Sequence, residues 1–215
     1  YTFQIYFDFS GYSDMAIGLG KMMGFKLPEN FKTPYMADSV RDFYRRWHIT
    51  LGRWFCNYVY IPLGGNRCSK IRKYFNLMVT FGVSGLWHGA NWTYVFWGFL
   101  HGVYQVVGDI TKPFRQKLCK KTNAKTESFS FKLAQIVGTF ALVDFAWIFF
   151  RADSLGIAVN YCKRMFTKWD PWSLFNGELY NLGLDRFEVN ILIVATVALF
   201  LVDLLRYCKK QLITE

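Results

Sequence analysis

Three histidines are the side chains best suited to proton transfer in this 215-residue chain: His48, His88 and His101. An unperturbed imidazole titrates near neutrality. Its neutral form can take a proton from a hydroxyl while that oxygen attacks a thioester or ester carbonyl. His88 has the most telling setting. It lies in Ser84-Gly85-Leu86-Trp87-His88-Gly89-Ala90-Asn91-Trp92, where glycines flank a Trp-His pair inside an uncharged segment. An ionisable residue at membrane depth points to function. Acyl transfer passes through a tetrahedral oxyanion, which needs hydrogen-bond donors. The backbone N–H groups of Gly89, Ala90 and Asn91 are candidates, and the Asn91 side chain is placed to orient the imidazole. His48 either anchors a helix or shares in the chemistry. His101 is either structural or lines an access path.

Other reactive types are less organised. Asp8 and Asp14 interrupt an apolar stretch, where carboxylates are costly unless they face protein or water. They make polar helix contacts or line a substrate. The five cysteines (Cys56, Cys68, Cys119, Cys162, Cys208) show no CxxC and no metal spacing, and an odd number does not close a disulfide framework. No metal is expected. No Gly-rich phosphate loop is present, and no Ser or Cys has an obvious neighbouring base.

The elements that must position these residues are apolar and aromatic. The chain is 53% hydrophobic and 20% aromatic, with a net charge of +11. Rings spread along the chain suit membrane interfaces. The mean hydropathy of +0.12 is low for a multispan protein. The dilution comes from basic loops between apolar segments, and that placement argues against nucleic acid as the partner. Tyr1 to Phe25 is apolar, and the chain begins inside it, as a fragment would. Ser39-Val40-Arg41-Asp42 reads as a capping box. Phe43, Trp47, Leu51, Trp54 and Tyr58 then predict one amphipathic helix running to Tyr60, carrying Arg41, Arg45, Arg46 and Arg53.

Tyr74 to Gly108 holds no charged residue and predicts two short apolar arms meeting at the Trp87-His88 turn. Lys112 to Lys125 reads as a basic loop, Leu133 to Phe150 as a span, and Val189 to Leu205 as a last span. Positive loops stay cytoplasmic. That places Arg67–Lys73, Lys112–Lys125 and the C-terminus inside, and the neutral Arg151–Glu188 loop outside. The His88 turn is then re-entrant, within the membrane and toward its outer side. Irregular backbone at that depth must be buried in protein or line a wet cavity.

These motifs have a resemblance. Phe7-Asp8-Phe9-Ser10-Gly11-Tyr12-Ser13-Asp14, Arg45-Arg46-Trp47-His48-Ile49-Thr50-Leu51, Trp54-Phe55 and Tyr58-Val59-Tyr60-Ile61-Pro62-Leu63-Gly64-Gly65 resemble the membrane-bound O-acyltransferase family. The Ser84–Trp92 turn and Trp147-Ile148-Phe149-Phe150-Arg151-Ala152 complete the set, which covers nearly the whole chain in order. The branch resembled is that of alginate O-acetylation, related to D-alanyl transfer onto teichoic acid.

The resemblance implies an all-α, polytopic membrane bundle around a central funnel. Residues 1–215 would be the C-terminal part of one transmembrane domain, preceded by further N-terminal spans. It implies His88 as the catalytic histidine and His48 as its supporting partner, with Trp87, Asn91, Trp92, Asp8 and Asp14 supporting or lining the substrate. It implies an acyl donor from the cytoplasm, acetyl-CoA or another thioester, and no bound cofactor. The acceptor would lie on the far side of the plasma membrane, as a polysaccharide or an extracytoplasmic acetyl-transfer partner.

Two other functions compete with acyl transfer. One is a non-catalytic component that exports or anchors a polysaccharide assembly. The other is an ion-coupled transporter using Asp8, Asp14, Asp144 and His88. Inverted repeats would favour the transporter, and the sequence shows none. Alginate, another exopolysaccharide, peptidoglycan and teichoic acid all offer acceptor hydroxyls.

Overall fold

A computed structural model describes residues 1–168, 170, 172, 176, 177 and 185–214, and every regular element among them is helical. Residues 1–158 form one unit and residues 159–215 a second. The first unit holds α1 (Thr2–Met22), α2 (Val40–Arg46), α3 (Ile49–Phe55), α4 (Lys70–His88), α5 (Trp92–Lys121) and α6 (Phe129–Arg151). A 3₁₀ turn at Pro34–Met36 precedes α2, and a π-helical stretch at Cys56–Tyr60 follows α3. Beyond α6 lie α7 (Leu155–Thr167) and α8 (Arg186–Thr214). The neutral segment expected as an outside loop, Arg151–Glu188, instead holds α7 in its first half, and its residues 169, 171, 173–175 and 178–184 fall outside the described residues.

Among the described residues, two helices are long and apolar enough to cross a membrane: Phe129–Arg151, and the Arg186–Leu205 part of α8. They coincide with the two predicted spans. The helix starts follow the local sequence. Ser39, Ser69, Ser128 and Asn91 each accept a first-turn backbone N–H, from Asp42, Arg72, Phe131 and Thr93 respectively. Each cap satisfies a donor that has no partner within its own helix.

The arms around His88 form an antiparallel hairpin, α4 against α5. Glycines allow the close approach. A Cβ built on Gly85 would stand 2.9 Å from the Tyr94 carbonyl carbon and 3.1 Å from Val95 Cα. One on Gly98 would stand 3.1 Å from the Gly85 nitrogen. The second arm is longer than expected. α5 has 30 residues, about 45 Å at 1.5 Å per residue. It absorbs Lys112–Lys121, which the sequence reading placed in a loop. Lys, Arg, Gln and Leu are good helix formers, so charge alone does not stop a helix. Pro113 lies inside this helix. Nearby, the Thr111 hydroxyl donates to the Val107 carbonyl at 2.7 Å, and the Arg115 guanidinium to the Gly108 carbonyl at 3.1 Å.

The single amphipathic helix expected from Ser39 to Tyr60 is broken in two. Trp47 is extended, and His48 adopts a left-handed conformation with φ 44°. The reason lies about twenty residues upstream. The Asn30 backbone carbonyl accepts the Ile49 N–H at 3.0 Å. The Asn30 side-chain oxygen accepts the Thr50 N–H at 3.2 Å and the Thr50 hydroxyl at 2.6 Å. Lys32 N–H donates to the Arg46 carbonyl at 2.9 Å. The loop thereby caps α3 and terminates α2. The break also splits the apolar face: Phe43 and Trp47 are buried, whereas Trp54 and Tyr58 are exposed.

The core is aromatic. Trp147 of α6 lies 5.5 Å from Trp47 and 5.6 Å from Trp97, ring centre to ring centre. Such pairs add about 0.5–1.5 kcal/mol each beyond their buried area. α1 joins this core through its first turns. The Thr2 hydroxyl donates to the Asp144 carboxylate, and the Tyr35 hydroxyl donates to the Thr2 carbonyl at 2.8 Å.

Candidate functional site

His88 ends α4, at the turn of the hairpin. Asn91 caps α5, and its side-chain amide also donates to the Asp153 carbonyl at 3.1 Å. That amide is committed to the turn rather than to the imidazole. The Gly89 N–H is committed as well, to the Leu86 carbonyl at 3.2 Å. This leaves Ala90 and Asn91 as backbone donors near the turn.

Three aromatic rings surround His88 edge to face. Trp87 lies at 4.9 Å, Trp97 at 5.3 Å and Phe150 at 5.1 Å, with interplanar angles of 78°, 89° and 79°. Trp87 also reaches His48, at 6.4 Å. Phe9 of α1 meets the His48 ring at 4.6 Å. His48 Nδ1 is buried with no protein hydrogen-bond partner. The helix break therefore turns His48 away from a helix surface and toward the His88 turn.

Two cavities meet at these histidines. The first, of about 480 Å³, is lined by Tyr1, which precedes α1, by Gln4 and Asp8 of α1, and by Trp87 and Phe150. The second, also about 480 Å³, runs along Ser84, Phe81 and Leu77 of α4 and is bounded by Arg41, Arg45 and Arg53. From His88 to Leu77 that face of α4 extends about 16 Å. His48 and His88 line both cavities.

The far end of the second cavity is charged. Asp109 binds Arg41 and Lys73, each at 2.5 Å, and Arg41 also approaches Gln105 at 3.4 Å. Asp109 lies beyond the apolar part of α5. Burial works to raise its carboxyl, but the Lys73 hydrogen bond and the Arg41 charge outweigh that and hold it below the usual carboxylate range. Arg46 pairs instead with Asp42, at 2.7 Å.

The structure thus gathers His88, His48, Trp87 and Asp8. Asn91, Trp92 and Asp14 lie outside both cavities. Trp92 is 74% exposed. His101 is fully buried among the edges of Tyr44, Trp97 and Tyr104, in the packing rather than along a path. Sequence reading missed Gln4, Trp97 and Phe150 as neighbours of the site. The only trace of Trp97 was its i,i+4 spacing to His101 on one helix. Among the described residues, no group of three or more His, Cys, Asp or Glu side chains is placed to hold a metal ion.

The hairpin thus presents His88 between two cavities in a helical protein that holds two membrane-length helices. Residues 1–144 match the family model described as "MBOAT, membrane-bound O-acyltransferase family", and the chain belongs to that family. The chain is 45% identical over 202 residues to the "Probable alginate O-acetylase AlgI" of Pseudomonas syringae pv. tomato, covering 93% of this chain and 36% of that relative. It is 45% identical over 168 residues to the "Peptidoglycan O-acetyltransferase" of Helicobacter pylori, covering 77% of this chain and 30% of the relative. A "Teichoic acid D-alanyltransferase" of Bacillus subtilis is 31% identical over 157 residues, covering 70% and 39%. The chain therefore spans well under half the length of these curated relatives.

Proposed function

We propose that the full protein is an O-acetyltransferase that moves an acetyl group from a cytoplasmic thioester to a hydroxyl outside the plasma membrane. One observation carries the reading: His48 and His88 line both cavities, so reactants arriving from either end meet at the same imidazoles. The arginine-bounded cavity receives the donor, acetyl-CoA or another thioester. The cavity with Gln4 and Asp8 receives the acceptor hydroxyl, carried by a polysaccharide or by an extracytoplasmic acetyl-transfer partner. Acetyl rather than D-alanyl transfer is supported by the higher identity to relatives named for O-acetylation.

His88 acts as the general base. It takes the hydroxyl proton as the oxygen bonds to the thioester carbonyl carbon. When the carbon–sulfur bond breaks, the imidazolium returns the proton to the departing sulfur, leaving an ester and a thiol. His48 supports His88 from the second wall of the site. The helices form a funnel around this centre in a multi-pass protein. Its basic segments and C-terminus are cytoplasmic, as the positive-inside rule places them.

His88→Ala in the full-length protein tests the reading. Ester-linked acetate on the secreted or wall polymer is measured per unit of membrane-inserted protein. A positioned general base contributes about 10²–10⁴-fold, so acetate should fall to background while Val137→Ala, on an exposed face of α6, stays near wild type. Stable insertion with most acetate retained would leave the export or scaffold reading in its place.

A further inference from the structure

We infer that Trp97 is the positioning residue for His88, so that an aromatic cage takes the orienting role a carboxylate often plays beside a catalytic histidine. The inference rests on the reading of His88 as the base. Among the described residues no side chain hydrogen-bonds the His88 ring, and no carboxylate or carbonyl fixes its rotation. Ring edges do that work instead. The Trp97 indole stands almost perpendicular to the imidazole, at 89° and 5.3 Å. Aromatic quadrupoles favour this edge-to-face arrangement over parallel contact.

Trp97 is itself held immobile. It is 3% exposed and stacks on Trp147 at 5.6 Å with an interplanar angle of 20°. Phe150 closes on it at 5.1 Å, and His101, one turn further along α5, backs it at 5.0 Å. Its rotamer is therefore fixed from three sides, and the fourth side is offered to His88. The close α4–α5 approach through Gly85 and Gly98 brings Trp97, on one arm, within reach of the histidine that ends the other. Trp87 is 57% exposed and lies beside His88 in sequence, so it cannot hold the ring as firmly. Trp97 is the buried member of the cage that comes from the partner helix.

The test compares Trp97→Phe with Trp97→Leu in the full-length protein, with His88→Ala alongside. Phe and Leu both leave part of the indole volume unfilled, Leu more of it, so the thermal midpoint of each purified variant is measured beside its rate. A purely structural role would make rate loss follow midpoint loss, whereas a positioning role makes the Leu rate fall well beyond it. Only Phe restores a ring edge toward the imidazole. The initial rate of ester-acetate accumulation after induction, per unit of inserted protein, should fall about 10–100-fold for Leu, the cost of a base misplaced by about 1 Å. Phe should recover to within a few-fold of wild type. Equal loss in both variants, or an unaffected Leu variant beside an inactive His88→Ala, overturns the positioning role and leaves His88 as the base. An active His88→Ala overturns the catalytic reading, and the positioning role with it. If the Leu variant does not insert, Phe150→Leu takes its place. That change removes the second cage ring and should slow the rate several-fold, and a wild-type rate there counts against the cage.

Discussion

Gly85→Ala is the perturbation that most directly tests how the hairpin places His88. The added Cβ would stand 2.9 Å from the Tyr94 carbonyl carbon, with Val95 Cα at 3.1 Å. Carbon–carbon contacts are most favourable near 3.5–4.0 Å, and the Tyr94 carbonyl oxygen is nearer still, so the two backbones must part by roughly 1 Å. The obstacle is main chain, which cannot rotate away as a side chain does. Overpacking of this kind costs about 1–3 kcal/mol. Alanine returns at most about 1 kcal/mol in helix propensity. The net loss is therefore about 0–2 kcal/mol, which lowers the thermal midpoint of the longer full-length protein by up to a few degrees.

The functional cost of Gly85→Ala should be larger than the stability cost. Gly85 lies three residues before His88, and a shift of about 1 Å in a catalytic group costs up to about 10²-fold. The assay is the thermal midpoint of the purified full-length protein together with polymer acetate per inserted protein. Gly108→Ala is the control. Its Cβ would meet no heavy atom within 4 Å, so it should match or slightly exceed wild-type stability. If Gly85→Ala matched Gly108→Ala in both midpoint and acetate, α4 and α5 would not approach through this glycine, and the hairpin would not place His88 in this way.

Two further outcomes can be checked. His48→Asn keeps a residue that tolerates the left-handed backbone while removing the imidazole. Acetate per inserted protein should lie between wild type and His88→Ala, and a loss as complete as that of His88→Ala would give His48 a direct share in proton transfer. Asp109→Asn removes the acceptor shared by Arg41 and Lys73 and should cost roughly 1 kcal/mol at pH 7, discounted for partial exposure. Because the folded carboxyl is held low, its contribution is present above the unfolded value of about 3.9 and is lost as pH falls through the folded value. Thermal midpoints of variant and wild type should therefore draw together as pH falls below the unfolded value, and a gap that widened in acid would refute this sign.

The parts of the site that depend on neighbouring residues were legible in the sequence. Capping at Ser39, the glycine-flanked turn and the two spans all rest on short-range chemistry, and the structure has each of them. The parts set by distant contacts were not. Nothing in the local pattern of Phe43, Trp47 and Leu51 announces a break at His48, because its cause is Asn30 in another segment. The basic run after Asp109 reads as a loop only if charge marks irregular backbone, yet its Lys, Arg, Gln and Leu residues favour helix. Trp97 and Phe150 read as ordinary apolar helix positions until the fold brought them against His88.

The capping of α3 by Asn30 makes the location of His48 a matter of chain length as well as of side-chain chemistry. The connection between α1 and α2 acts as a measured strut: one end returns from α1, and Asn30 and Lys32 fasten its middle to the break. Adding or removing a residue between Gly24 and Asn30 would shift that anchor and displace His48 without any change in the sequence of α2 or α3. This stretch, though rich in turn-forming residues, should accept substitutions far more readily than changes in length, unlike an ordinary surface loop.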